Sequence, residues 1–91
     1  MVHREALKKV TGGKTVKVEA EIREGVLEWV LISGDFFAYP ASLIEDLESE
    51  LRGKEAQVET IKKVLKEFRV KGSLVGISFE DLEQLLIQVI S

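Results

Sequence analysis

The sequence predicts an α+β fold, in which a small antiparallel sheet of two to three strands is covered on one face by about three helices. In the first half of the chain, apolar and charged residues alternate with a period of two, as in a half-buried strand. In the second half, apolar residues recur at intervals of three and four, as in an amphipathic helix. Because the strands come first and the helices follow, the sheet is expected to be antiparallel.

Two of the strands are predicted to form a hairpin. From Lys14 the pattern has a period of two, which predicts a strand with one buried face. A tight connection at Glu24-Gly25 then leads into a second strand over residues 26–32. The buried residues of the first strand are predicted to be Val16, Val18, Ala20 and Ile22.

The second strand of the hairpin is apolar on both faces, and Glu28 is its only charged residue. Such a strand is either central in its sheet or meets a partner with one face. Helices on one side of a small sheet leave its other side open, so one of these faces is expected to bind a partner. The alternation assigns Leu27, Trp29 and Leu31 to the covered face, and Val26, Val30 and Ile32 to the partner-binding face.

Residues 34–40 separate the strands from the helices. Gly34 can adopt backbone angles that are closed to other residues, and Pro40 keeps Tyr39 out of helical angles. The strand therefore ends in this segment. Two adjacent phenylalanines lie within it, and at least one is expected in the core, because burying a Phe contributes about 2–3 kcal/mol.

Three helices are predicted after this junction. The first covers residues 42–52, where Ser42 and Glu45 have the spacing of a capping box, and it ends at Gly53. The second covers residues 55–69, and the third begins at Ser78 with Asp81 in its first turn. Their apolar stripes are Leu43, Ile44, Leu47 and Leu51; then Val58, Ile61, Leu65 and Phe68; then Leu82, Leu85, Leu86, Val89 and Ile90.

Composition narrows the function classes. The 91 residues are enough for one small domain, residues 1–91, with little room for a deep active site. The net charge of −3 argues against a nucleic-acid binder, and the absence of Cys excludes thiol chemistry and disulfides. The chain shows no apolar signal segment and no membrane-spanning run, so a cytoplasmic location is expected.

Few residues are candidates for chemistry. His3 is the only histidine and has no converging partners in the sequence, so no catalytic residue is assigned. Gly12-Gly13-Lys14 lacks the longer glycine frame of a phosphate loop and precedes a strand, which indicates a turn. The acidic residues of the first helix indicate a solvated face, and no metal site is predicted.

The junction also carries the predicted contact residues. The Asp35 side chain is expected to bond backbone N–H groups of the turn, and to fix a loop that meets a partner. Three aromatics in four residues are hard to bury together, so one or two are expected at an interface. The predicted partner interface comprises Val26, Val30, Ile32, Asp35, Phe36, Phe37 and Tyr39, with Lys14 as a further residue that could approach a ligand.

The order of these motifs resembles the accessory domain of lipoate–protein ligases. The resemblance rests on Gly12-Gly13-Lys14, two strands, Gly34-Asp35-Phe36-Phe37 with Pro40, and a Leu/Glu helix ending at Gly53, and it covers about residues 5–90. In many bacteria this domain is the C-terminal part of the ligase, and in many archaea it is a separate small subunit. Residues 4–10 fit a helix by spacing, but the family pattern favours an edge strand, which we adopt.

The resemblance implies a non-catalytic accessory subunit. In the family, a large subunit binds ATP, Mg²⁺ and lipoate, forms lipoyl-adenylate and transfers the lipoyl group to a lysine of a carrier domain, while the small domain is needed for the adenylation step. The expected partner is therefore the large catalytic subunit, and no cofactor is assigned to this chain alone. One alternative is a stand-alone protein-interaction module, including a homodimer; a sulfur-transfer module, which the family's fold also resembles, would need a thiolate that the chain lacks.

Overall fold

The computed structural model describes residues 2–10, 12 and 14–91 and confirms the α+β fold. In chain order the elements are β1 (Val2–Lys9), β2 (Thr15–Arg23), β3 (Val26–Gly34), β4 (Phe37–Tyr39), α1 (Leu43–Leu51), α2 (Val58–Phe68), β5 (Ser73–Val75) and α3 (Phe79–Ile90). A three-stranded antiparallel sheet has its strands in the order β1-β2-β3, and a separate antiparallel ribbon pairs β4 with β5. Thr11 and Gly13 of the predicted turn lie outside the described residues.

The helices cover one face of the three-stranded sheet, as predicted. Helix α1 packs on β3, and α3 packs on β1 and β2, with α2 contacting both other helices. The strand interpretation of residues 4–10 is confirmed, because β1 pairs with β2 along its whole length and places Ala6 opposite Val18. The sheet contributes Ala6, Val16, Val18, Ala20, Leu27, Val30 and Ile32 to the core, and Ile22 is partly buried against it.

A β-bulge corrects the predicted faces of β3. Glu21 lies opposite Trp29 and Ile22 lies opposite Leu27, so Glu28 is an extra residue without a partner on β2. The extra residue shifts the alternation, and Leu27 therefore shares the covered face with Val30 and Ile32. Val30 and Ile32 are 4% and 6% exposed beneath the helices, so placing them on an open, partner-binding face was wrong.

The outer edge of β3 is also covered. The N–H of Leu27 donates to the carbonyl of Lys54 at 2.9 Å, and the Leu27 carbonyl accepts from the N–H of Gly53 at 2.7 Å. Val26, half-buried, forms an isolated bridge with Glu55 in the same segment. Val26 therefore packs beside its own chain at the sheet edge, and it does not extend an open apolar face.

The helix ends differ from the prediction at one cap. Ser42 precedes α1 in a helical conformation and makes no capping hydrogen bond, so the capping box assigned to Ser42 and Glu45 was wrong. At α3 the box is complete: the Ser78 hydroxyl accepts from the N–H of Asp81, whose carboxylate accepts from the N–H of Ser78. Gly53 has a φ of 83°, which confirms it as the residue that ends the first helical segment.

Candidate partner-binding surface

Two motifs that are distant in sequence meet at one end of the sheet. The N–H of Asp35 donates to the carbonyl of Thr15 at 3.1 Å, which joins the end of β3 to the start of β2. Gly76, just after β5, lies against both segments: a Cβ atom at this position would be 3.3 Å from the Lys14 Nζ and 3.3 Å from the Asp35 carbonyl oxygen. The Lys14 side chain and the Gly34-Asp35 pair therefore flank the β4–β5 ribbon.

Glycine is required where the ribbon leaves the sheet. A Cβ atom on Gly34 would collide with the carbonyl oxygen of Thr15, and one on Gly72 would collide with the carbonyl oxygen of Tyr39. Backbone approaches this close are open only to glycine. They place the ribbon tightly against the end of the sheet and the start of α1, so the direction of its side chains is set by the fold.

The three aromatics of the junction are divided between core and surface, in agreement with the expectation. Phe36 is partly buried and packs against the core, whereas Phe37 and Tyr39 are 68% and 64% exposed. Phe37 lies opposite Val75, which is 51% exposed, and Tyr39 lies opposite Ser73. We call Phe37, Tyr39 and Val75 the outer ribbon face, since Ala38 and Leu74 between them point toward the core.

The carboxylate of Asp35 does not act as predicted. Asp35 is exposed, and within residues 2–10, 12 and 14–91 its side chain accepts no hydrogen bond. Its backbone N–H, bonded to Thr15, fixes the junction instead. The side chain is therefore free to meet solvent or a partner.

The uncovered side of the three-stranded sheet carries a different surface. We call its His3, Glu5, Leu7, Lys17, Glu19, Glu21, Trp29 and Leu31 the open sheet face, because they alternate with the buried residues. The sequence indicated no partners for His3, but the structure gives it two. Its Nε2 lies 3.6 Å from Glu19 Oε1, and its Nδ1 lies 3.9 Å from Glu21 Oε1. Only the pairing register brings these residues together, so no local pattern could reveal them.

A lysine pairs with two of the carboxylates of this open sheet face. The Lys17 Nζ is 3.3 Å from Glu5 Oε2 and 3.8 Å from Glu19 Oε1. His3, Glu5 and Glu19 place ligand atoms within 4.8 Å of one another, a spacing suited to a metal ion. However, the Lys17 ammonium already pairs with both carboxylates, so the arrangement is a cross-strand ion-pair network.

A shallow groove extends the outer ribbon face toward α1. It has a volume of about 450 Å³, and none of its lining residues is ionisable. Phe37 contributes to both the groove and the outer ribbon face, which makes the two surfaces continuous. The apolar lining residues are Ile32, Phe36, Phe37, Ala38, Ala41 and Ile44.

These features define an α+β domain with a covered sheet and an exposed, uncharged apolar strip, a kind of surface that in many proteins binds a partner. The family model described as "Bacterial lipoate protein ligase C-terminus" matches residues 3–86. The chain therefore belongs to the family of lipoate protein ligase C-terminal domains.

A solved structure agrees with this assignment. The chain is similar to one from Thermoplasma acidophilum, in an archaeal lipoylation system described as a bi-partite lipoate protein ligase and its E2 lipoyl domain. The two chains are 27% identical, the match covers 93% of this chain and 97% of that one, and the TM-score is 0.73. A search of curated proteins found no significant match. None of the helices in the described part of the chain has the length and apolar character needed to cross a membrane.

Proposed function

We propose that this chain is the non-catalytic accessory subunit of a two-part lipoate–protein ligase. It acts with a larger subunit in the ATP-dependent formation of lipoyl-adenylate, before the lipoyl group passes to a lysine of a carrier protein. The observation that carries the proposal is the end-to-end likeness to a chain from a bi-partite ligase system.

The residue types of the chain favour a non-catalytic role. A Cys nucleophile is excluded by composition, and the single histidine is engaged with two carboxylates on the open sheet face. By the family resemblance, the sites for ATP, Mg²⁺ and lipoate are expected in the larger subunit. This chain would contribute through contact, by holding the larger subunit in the conformation that activates lipoate.

The test is reconstitution with a candidate catalytic subunit from the same organism. Pyrophosphate release that needs ATP, lipoate and both proteins is the expected result. Neither protein alone should form lipoyl-adenylate, whereas transfer from preformed lipoyl-adenylate should need only the larger subunit. Lipoyl-adenylate formed by this chain alone, or full activation by the larger subunit without it, would overturn the proposal.

The exposed apolar strip also favours a second candidate function, a stand-alone interaction module that forms a homodimer. Phe37 and Tyr39 would then be buried against a second copy of the chain. Sedimentation of the isolated chain over a range of concentrations separates the two candidates. A stable dimer that does not dissociate when the catalytic subunit is added would favour the second one.

A further inference from the structure

We propose that the catalytic subunit docks on the outer ribbon face, formed by Phe37, Tyr39 and Val75, and not on the open sheet face. This inference rests on the proposed function and specifies the surface through which it operates. Both surfaces expose large apolar side chains, so exposure alone does not choose between them. The two surfaces differ in the free-energy cost of removing water from them when a partner binds.

The open sheet face is costly to bury. Its apolar residues Trp29 and Leu31 lie across the strands from Glu21 and Glu19. The Glu19 carboxylate pairs with Lys17, and both carboxylates lie within 4 Å of a His3 ring nitrogen and are partly open to water. A partner covering this face would desolvate several charges, and the Coulombic gain within such pairs seldom exceeds that penalty.

The outer ribbon face has no such penalty. Its three residues are two aromatics and a valine, and the adjoining groove toward α1 contains no ionisable residue. Aromatic residues surrounded by uncharged surface are typical of the buried centre of an interface. Gly34 holds the ribbon close to the sheet, and Gly72 holds its second strand close to Tyr39 and the start of α1, so little conformational entropy is lost when the ribbon is covered.

The likeness to a chain from a bi-partite ligase favours a catalytic subunit over a second copy as the partner at the outer ribbon face. Lys14 lies at the Phe37–Val75 end beside Gly76, and Lys71 directly precedes Gly72 at the Tyr39 end. In the described part of the chain, neither lysine forms an ion pair. The exposed carboxylate of Asp35 also lies at the Lys14 end, and Asp46 and Glu50 line a groove together with Lys71. A complementary partner would therefore place charges of both signs around an apolar strip, including a carboxylate that faces Lys14.

The test compares ribbon variants with a matched variant on the sheet. Phe37→Ser and Tyr39→Ser remove exposed aromatics from the outer ribbon face, and Leu31→Ser removes an exposed apolar side chain, 46% exposed, from the open sheet face. Each purified variant is titrated with the catalytic subunit by calorimetry, after circular dichroism confirms its fold. We expect Kd to rise about tenfold or more for each ribbon variant, and to stay near the wild-type value for Leu31→Ser.

The outcomes separate this inference from the proposed function. If the wild-type chain neither binds nor activates the catalytic subunit, the proposed function fails. If it does both and the folded ribbon variants bind equally well, the docking surface lies elsewhere and the inference is overturned. If only Leu31→Ser weakens binding, the interface lies on the open sheet face. If the wild-type chain is a homodimer and Phe37→Ser makes it monomeric, the outer ribbon face binds a second copy of the chain.

A charge-reversal pair tests the complementarity at the ribbon ends. Lys14→Glu should slow association and raise Kd, with the effect shrinking as ionic strength increases. Lys62→Glu, an exposed lysine on α2, is the matched control and should leave Kd unchanged. Equal effects of the two variants would show that only net charge matters and would overturn the proposed complementarity.

Discussion

The carboxylate of Glu48 accepts a hydrogen bond from the backbone N–H of Ile32, at 2.7 Å between Oε2 and N. Ile32 lies on β3, an edge strand of the three-stranded sheet, and Glu48 lies on α1, which packs on that strand. An edge strand presents unpaired N–H groups that can pair with another chain. Glu48 therefore satisfies an edge N–H at one end of β3, and residues 53–56 cover the edge at the other end of the strand.

Removing this carboxylate should destabilise the fold. Glu48→Ala leaves the partly buried Ile32 N–H without its acceptor, and we expect the free energy of unfolding to fall by about 1.5–3 kcal/mol. Glu48→Gln keeps an acceptor oxygen and should lose less. Urea titration followed by circular dichroism measures both, with Glu50→Ala as the control, since Glu50 is exposed and pairs only with Lys54. An equal loss in Glu48→Ala and the control would contradict the role of the Ile32 contact.

Two adjacent residues of β3 test which face of this strand is covered. Val30→Lys places a charge in the core beneath the helices, where it has no partner, and should prevent stable folding. Leu31→Lys places the same charge on the open sheet face opposite Glu19 and should be tolerated. Thermal melting of both variants gives the answer. A folded Val30→Lys together with an unfolded Leu31→Lys would restore the face assignment that the sequence predicted.

The two phenylalanines of the junction should differ in their effect on stability. Phe36 packs against the core, so Phe36→Ala should reduce the free energy of unfolding by about 2 kcal/mol or more. Phe37 is largely exposed, and Phe37→Ala should change it by no more than about 0.5 kcal/mol. Denaturant titrations of both variants check the contrast. Similar losses would mean that Phe37 is covered by the chain itself.

The cap of α3 should make stability depend on pH in the acid range. The hydrogen bond from Lys8 Nζ, at 2.7 Å, and then the bond from the Ser78 N–H lower the pKa of Asp81 below its usual value. A carboxyl whose pKa is lower in the folded state contributes stability that is present above the unfolded pKa and is lost as the pH falls through the folded pKa. The contribution should therefore be complete above about pH 5 and be lost progressively below about pH 4, as the pH falls through the lowered pKa of the folded state.

The variant Asp81→Asn measures this contribution. At neutral pH it should lower the free energy of unfolding by about 1 kcal/mol, and the difference from wild type should shrink below about pH 4. Unfolding of the two proteins is compared from pH 2 to pH 7, with Glu80→Gln as an exposed control in the same helical turn. A difference that persists unchanged at low pH would exclude the charge of Asp81 as its source.

The sequence by itself determined the fold class and the element types. The alternation from Val16 to Ala20 fixes a strand with one buried face, because only a period of two keeps every second side chain in the core. The spacing of Leu43, Leu47 and Leu51 fixes a helix with one buried stripe in the same way. The motif order also indicated the family that residues 3–86 match. The division of the aromatics followed from the small size of the core.

Only the tertiary structure decided which surfaces are free. Because β3 is apolar on both sides, its sequence could not show which face is covered. The bulge at Glu28 separates Leu27, which is covered as predicted, from Trp29 and Leu31, which lie on the open sheet face. The strand register brought His3 to Glu19 and Glu21, and the three-residue strands of the ribbon were too short to give a periodic signal. Strand faces, cross-strand pairs and short ribbons all depend on which backbone segments hydrogen-bond to one another. That pairing is set by contacts between segments that are distant in sequence, so a local pattern does not reveal it.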